Sequence, residues 1–283
     1  TRIQLNGISF GNGRFVAVGS RGIILSSTDA QNWDLSIVTN ASHEYYDVTF
    51  GNGNYVAVGR DGVIISSTDG DNWVPQESGT TNWLRGITFG NGSFLAVGEN
   101  GTIISSGNAV NWAAQGSGTA LSLNDVAFHN GTFVAVGGGG TLLSHAVILT
   151  SASFQFWEPQ DIADVGSLES VTFSNNSFVS IGIGGRIITS PDNTQWTDQL
   201  RGPTAWLLGS KYLNNRFYSV GLSGTLLASA NGRTWTALDS GISGSLSDLA
   251  LGNGRFVAIG GSGNVTTSAN GVEWTAGNTG TNA

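Results

Sequence analysis

The chain has 283 residues, with 43 Gly, 4 Pro, 11% charged residues, 10% aromatic residues and a formal net charge of −8. It is too rich in aromatic and branched residues for a disordered chain, and its glycines follow no triplet period, which excludes collagen. Phosphate backbones and anionic bilayers are held through Lys and Arg, so 11 basic residues against 19 acidic ones, with Lys211 as the single lysine, exclude nucleic acid and anionic membrane surfaces as expected partners.

No apolar run reaches the roughly 18 residues that span a bilayer. The longest candidate, Thr141 to Thr150, is interrupted by Ser144 and His145. The absence of cysteine excludes a disulfide framework, a Cys-based zinc site and a thiol nucleophile. There is also no Met, even at position 1, which gives the expectation of a processed, secreted chain at the cell surface or beyond it.

Taken in chain order, the elements repeat. An aromatic opens an apolar run such as FVAVG, and it stands at Phe15, Tyr55, Phe94, Phe133, Phe178, Phe217 and Phe256, with spacings of 40, 39, 39, 45, 39 and 39. A Trp series runs in step with it: Trp33, Trp73, Trp112, Trp157, Trp196, Trp235 and Trp274. The Trp follows the aromatic by 18 residues in six copies and by 24 in the fourth, which places an insertion near Ser144 to Leu149.

Each copy reads as four strands. A short apolar strand, such as Ile87 to Phe89, leads to Asn-Gly (Asn12, Asn52, Asn91, Asn130, Asn253) or to Asn-Asn. Asn-Gly is the strongest short hairpin signal, because a type I′ turn needs positive φ at both central residues. The FVAVG strand ends in Gly-x-x-Gly, as at Gly59 to Gly62, and a third strand follows, as at Val63 to Ser67. A tight turn then leads through the Trp to a fourth strand.

Second strands that are apolar at nearly every position need cover on both faces. Four-stranded sheets packed face to face around an axis supply it. The expectation is an all-β, seven-bladed β-propeller with four antiparallel strands per blade, forming a single domain over 1–283. Its blades fall at about 1–40, 41–79, 80–118, 119–165, 166–203, 204–243 and 244–283. Since the first blade begins at its first strand and the last ends after its fourth, blades are contiguous, with little or no strand exchange at the closure. At most Thr1 to Gln4 add a partial clasp.

The turn before the Trp reads SSTDAQNW at Ser26 to Trp33, SSTDGDNW at Ser66 to Trp73 and TSPDNTQW at Thr189 to Trp196. It resembles the Asp-box, or bacterial neuraminidase repeat, of sialidases, sortilin-type receptors, xyloglucanases and photosystem II assembly factors. The Asp-to-Trp gap is one residue shorter than in the usual sialidase box. Asp29, Asp69 and Asp192 hold the Asp position, whereas Asn108, Ser153, Asn231 and Asn270 replace it elsewhere. The role of such a box is structural: a short polar side chain accepts from backbone N–H groups of the turn, and the Trp packs on the sheet.

Alternate loops of an up-and-down blade emerge on the same face. The Asn-Gly and Asp-box turns share one face, and the Gly-x-x-Gly turns share the other with the blade-to-blade connections. The copies differ on the second face, where a site is expected. Two rings of positions are expected to turn toward the channel mouth there. One is Gln4, Glu44, Trp83, Ser122, Ser167, Trp206 and Ser245, and the other is Asn6, Tyr46, Arg85, Asn124, Glu169, Leu208 and Ser247. The ring between them, Leu5, Tyr45, Leu84, Leu123, Leu168, Leu207 and Leu246, reads as core. Candidate ligand-binding residues are Glu44, Tyr46, Trp83, Arg85, Glu169, Trp206 and Arg60. Trp83 and Trp206 are the two Trp outside the repeat series, fit either to stack on a ligand or to cap their strands.

A sialidase-type enzyme needs an arginine triad, an Asp acid and a Tyr–Glu pair. The Arg-Ile-Pro signature is absent, since Arg2 and Ile3 precede Gln4, and Arg14, Arg216 and Arg255 fall on the Asn-Gly face. His43, His129 and His145 have no metal spacing, and no cofactor or metal is expected. The function expected is a non-catalytic extracellular propeller binding a glycan, a protein or a second copy of itself. One alternative is a carbohydrate-active hydrolase or lyase using Glu44, Glu169, Tyr46 and Arg85. Another is an assembly factor for a larger complex, although the basic groove expected of that role is not evident.

Overall fold

The computed structural model describes residues 3–37, 43–139, 146–160, 162, 166–174, 177–199 and 205–280. Seven four-stranded antiparallel sheets, each built from consecutive strands, form the blades of a β-propeller. The inner strands are Leu5–Gly11, Tyr45–Gly51, Leu84–Gly90, Leu123–His129, Leu168–Ser174, Leu207–Leu213 and Leu246–Gly252.

The sequence explains the hairpins. Asn12 and Gly13 have φ of 44° and 76°, as a type I′ turn requires, and Asn214 and Asn215 reach 46° and 62° without glycine. Asn tolerates this region because its short side chain can bond locally.

Blades pack through the second strands. Val56, Val58 and Ile64 of blade 2 lie with Leu84, Phe94 and Ala96 of blade 3 in one buried cluster, and Leu5, Phe15 and Ala17 of blade 1 lie with Val257 and Ile259 of blade 7 in another. The contact between blades 7 and 1 therefore has the same apolar character as the others. It also repeats their polar contacts: Gly263 N donates to Ile3 O at 3.1 Å, as Gly22 N donates to His43 O at 2.6 Å between blades 1 and 2. Gln4 also forms an isolated antiparallel bridge with Gly261, a short clasp between blades 7 and 1, and among the described residues no strand is exchanged.

The glycine ending each second strand has a specific cause. The residue that follows it donates to the carbonyl just before the blade's own inner strand, as Ser20 N to Gln4 O, Arg60 N to Glu44 O and Glu99 N to Trp83 O. A Cβ on Gly19, Gly59 or Gly98 would stand 2.0 Å from that same oxygen, so only glycine allows the approach.

One expectation needs correction. The third strand of blade 4 is Ala146–Ser151, paired regularly with Thr132–Gly138. The extra residues of this repeat therefore enter before Ala146, not across Ser144 to Leu149. Ser144 and His145 lie outside the described residues.

The turns before the Trp are held as a network. The Asp69 carboxylate accepts from Asp71 N at 2.9 Å and Asn72 N at 2.8 Å, while Ser67 Oγ accepts from Gly70 N at 2.9 Å. Asn231 accepts in the same way from Arg233 N and Thr234 N. Ser153 in blade 4 is too short to do so; there only its own N donates to Ser151 Oγ. These bonds hold the Asp29 and Asp69 carboxyls far below the usual range and bring Asp192 down to about 2. Trp73, Trp157, Trp196 and Trp235 donate their indole N–H to the carbonyl three residues earlier.

Candidate functional site

The candidate face is shaped by a bulge near the start of every inner strand, where the pairing register shifts (Leu5/Gly7 in blade 1, Tyr45/Asp47 in blade 2). A bulge re-aims side chains, and here it separates the two expected rings. The second ring, which includes Tyr46, Arg85, Asn124, Glu169 and Leu208, lines a cavity of about 80 Å3 at the channel mouth. The first ring stands outside it and supplies carbonyls to the Gly-x-x-Gly turns. The intervening ring, from Leu5 to Leu246, is buried.

Four of the expected residues converge. The Tyr46 and Trp83 rings lie 5.9 Å apart, and the Arg60 and Arg85 guanidinium carbons stand 5.0 Å and 5.5 Å from the Trp83 ring centre. Arg85 pairs with Glu99 at 2.8 Å, whereas Arg60 has only an exposed, 3.7 Å contact with Asp61. Burial and the nearby Glu44 carboxylate push the Tyr46 hydroxyl up to about 12, so it stays protonated and able to donate. Arg85 also acts on Glu169 across the mouth; burial raises the Glu169 carboxyl, and the Ser167 hydroxyl and Arg85 oppose that rise. Glu169 is thus part of the channel mouth rather than a solvated surface charge.

Trp206 stands apart, on blade 6, and does not join the blade 2–3 cluster. It is 47% exposed next to Leu222 at 38%, and Leu222 N donates to its carbonyl. Glu44 is half-buried beside Tyr46 and lines no part of the mouth cavity.

The sequence reading missed the residues one step inward. The third inner-strand position reads Gly7, Asp47, Gly86, Asp125, Ser170, Gly209 and Asp248. Each Asp reaches to the next blade: Asp47 accepts from Ile87 N at 2.9 Å, Asp125 from Val171 N at 2.9 Å, and Asp248 from Ile8 N at 3.0 Å. Glycine makes room for them, since a Cβ on Gly7 or Gly86 would stand 2.8 Å from the Cα of Asp47 or Asp125. Lys211 enters the same space and lies 3.7 Å from Asp248. Burial raises all three carboxyls, Asp47 to about 7, while Lys211 opposes that rise; the three carboxylates in turn hold the lysine well above its ordinary value. The Gly/Asp alternation and the single lysine were the available signals. Among the described residues no group of three His, Asp or Glu can hold a metal, and no helix is long and apolar enough to cross a membrane.

Below Lys211 the channel widens to about 350 Å3 toward the Asn-Gly face, lined by Thr49, Thr88, Thr172 and a ring that includes Phe10, Phe128 and Phe173. His129 stacks on Phe173 at 3.6 Å, and burial lowers its pKa, so it is a neutral part of that wall.

The fold and this mouth define a seven-bladed β-propeller with an aromatic–arginine cluster beside a charged channel. No family model matches the sequence, and no curated protein does. The chain is similar in structure to "YCF48 bound to D1 peptide", at TM-score 0.74 and 20% identity over 94% of this chain and 92% of that one. It is also similar to YCF48 from Cyanidioschyzon merolae, at 0.72 and 18% over 94% and 96%. A streptogramin B lyase structure aligns at 0.74 and 11% over 90% and 89%. At these identities the likeness shows the propeller fold.

Proposed function

We propose that this chain is a non-catalytic binding propeller that takes a peptide segment of a protein partner on the face bearing the blade-to-blade connections. The observation that carries this reading is Trp83 flanked by Arg60 and Arg85 and backed by Tyr46. Such a surface takes an apolar side chain on the rings and a carboxylate on Arg60, whose own partner is distant and exposed. Aromatic residues and arginine are also the side chains that dominate binding energy at protein interfaces. A peptide-bound propeller among the similar structures supports the choice of peptide, and an assembly role is one form of it. An extracellular setting belongs to the same proposal, suggested by the acidic, lysine-poor composition.

Random-peptide selection on the wild-type chain, followed by calorimetry of the selected peptides, tests the reading. Trp83→Ala and Arg60→Gln are each expected to weaken binding by about tenfold or more, which is about 1.4 kcal/mol. Peptides that bind both variants as tightly as the wild type overturn it. The exposed Trp206 ring favours a second reading, glycan binding; a glycan array positive for the wild type and lost in Trp206→Ala supports that one instead. The hydrolase alternative requires polysaccharide turnover that disappears in Glu44→Gln.

A further inference from the structure

Arg14 of blade 1 and Arg255 of blade 7 hold the same repeat position, the first residue of a second strand. Arg14 is fully partnered: its Nη1 donates to Ser26 Oγ and to Asp71 Oδ1, both at 2.8 Å, and Ser26 Oγ donates to the same carboxylate oxygen at 2.8 Å. Asp71 comes from the turn of the following blade. The corresponding residues around Arg255 are Thr267 of its own blade and Gln31 of blade 1. The arginine and the hydroxyl are present, and the carboxylate is missing. Among the described residues Arg255 has no ion pair, although it is half-buried.

Space is open where the carboxylate is missing. Arg255, Thr267 and Gln31 line a hollow of about 520 Å3 between blades 7 and 1, within the usual range for a small-ligand site. The hollow has a sequence cause. In blades 2 to 5 the third residue after the Trp is Gln, and its amide covers the third strand: Gln76 donates to Ser66 Oγ, Gln115 to Ser105, Gln160 to Thr150 and Gln199 to Thr189. Blade 7 has Gly277 there, so Thr267 is left uncovered. Blade 6 supplies a contrast: Arg216 holds the same repeat position, and the residues matching the hydroxyl and the carboxylate are Ala228 and Val272.

We infer that the hollow between blades 7 and 1 binds a ligand carboxylate, which takes on Arg255 and Thr267 the place that Asp71 takes on Arg14 and Ser26. Glu273 on the rim of the hollow repels a second negative group, so a monocarboxylate is preferred over a phosphate or a dicarboxylate. The site lies on the side of the Asp-box turns, away from Trp83, and does not depend on the peptide reading above.

The test follows the Arg255 Nε–H signal by NMR in the full chain. Three probes are titrated: acetyl-trialanine with a free C-terminal carboxylate, its C-terminal amide, and glucuronate. The carboxylates are expected to shift Arg255 saturably and the amide not at all. Saturation by the peptide acid alone assigns the carboxylate to a chain terminus, and saturation by glucuronate alone assigns it to a sugar acid. Two variants leave the arginine in place. Gly277→Gln restores the covering side chain, and Gln31→Asp restores the carboxylate that Arg14 has; each is expected to weaken binding by about tenfold or more. The inference is overturned if neither carboxylate shifts Arg255, if the amide shifts it equally, or if both variants bind as the wild type does.

Discussion

Lys211 Nζ lies 3.7 Å from the Asp248 carboxylate in the middle of the channel, and the carboxylates of Asp47 and Asp125 act on the same ammonium group. Three blades that are remote in sequence therefore meet at one cation. Each of those carboxylates also accepts a backbone N–H from the following blade, so the cluster ties the ring together at the point where its inner strands converge.

Removing the cation leaves three carboxylates, Asp248 buried and Asp47 and Asp125 half-buried, with their N–H donors but no countercharge. Lys211→Met is expected to cost about 1–3 kcal/mol at neutral pH, less than breaking a fully buried pair, because the lysine side chain is 39% exposed. The deficit should shrink on acidification, because protonated carboxyls need no cation. Urea unfolding at pH 5 and pH 8 checks this; an equal deficit at both values contradicts it.

The raised carboxyls set a pH dependence of definite sign. A carboxyl whose folded pKa lies above its unfolded value binds more protons in the folded state, so its contribution to stability is present at low pH and is lost as pH rises. For Asp47 the window runs from its ordinary 3.8 to about 7. Asp47→Asn removes this titration, at the cost of one of the two N–H bonds made by the carboxylate to Val48 and Ile87. Relative to wild type, the variant is expected to gain stability between pH 4 and pH 7, on the order of 1–3 kcal/mol. Thermal unfolding across that range measures it, and a constant difference rules it out.

Two glycines in one blade separate close approach from backbone conformation. A Cβ on Gly59 meets the Glu44 carbonyl at 2.0 Å, whereas Gly53 has a φ of 77° and open space around it. Gly59→Ala is expected to cost at least about 3 kcal/mol, since backbone must move. Gly53→Ala should cost only about 1–2 kcal/mol for the left-handed conformation. Equal losses in denaturant titrations would show that the carbonyl contact is not what requires glycine.

The turn acid is expected to be replaceable by its amide. Asp69→Asn keeps the oxygen that accepts from Asp71 N and Asn72 N, as Asn231 does in its own turn. Asp69→Ala loses both bonds and should cost about 1–2 kcal/mol. The folded pKa of Asp69 is depressed, so its stabilisation is present above the ordinary carboxyl range and fades as pH falls through the folded value. Asp69→Asn should therefore differ from wild type mainly near neutral pH and converge with it in strong acid.

Much of the fold was legible because each blade repeats the same local chemistry. Asn12–Gly13 states its turn, Phe15 and Tyr55 mark one blade's length, and Leu5 to Leu246 mark the buried ring. The site was legible only as a face. Trp83 and Trp206 share a repeat position, but Trp83 has Tyr46, Arg60 and Arg85 around it, and those neighbours come from blade 2 as well as blade 3. Such pairings depend on which blades are adjacent and where the bulge aims a side chain, and no single repeat encodes them. The Lys211 cluster was hidden for the same reason, since its members are spread from Asp47 to Asp248.

The most direct test of the account is hydrogen exchange of the full chain with and without a selected peptide. The account predicts slowed exchange around Tyr45–Asp47, Arg60–Gly62, Leu84–Gly86 and Glu99–Gly101, the segments that surround Trp83. Protection confined to the Asn-Gly turns and the turns before the Trp, at Asn12, Asn52, Asp29 and Asp69, would contradict it.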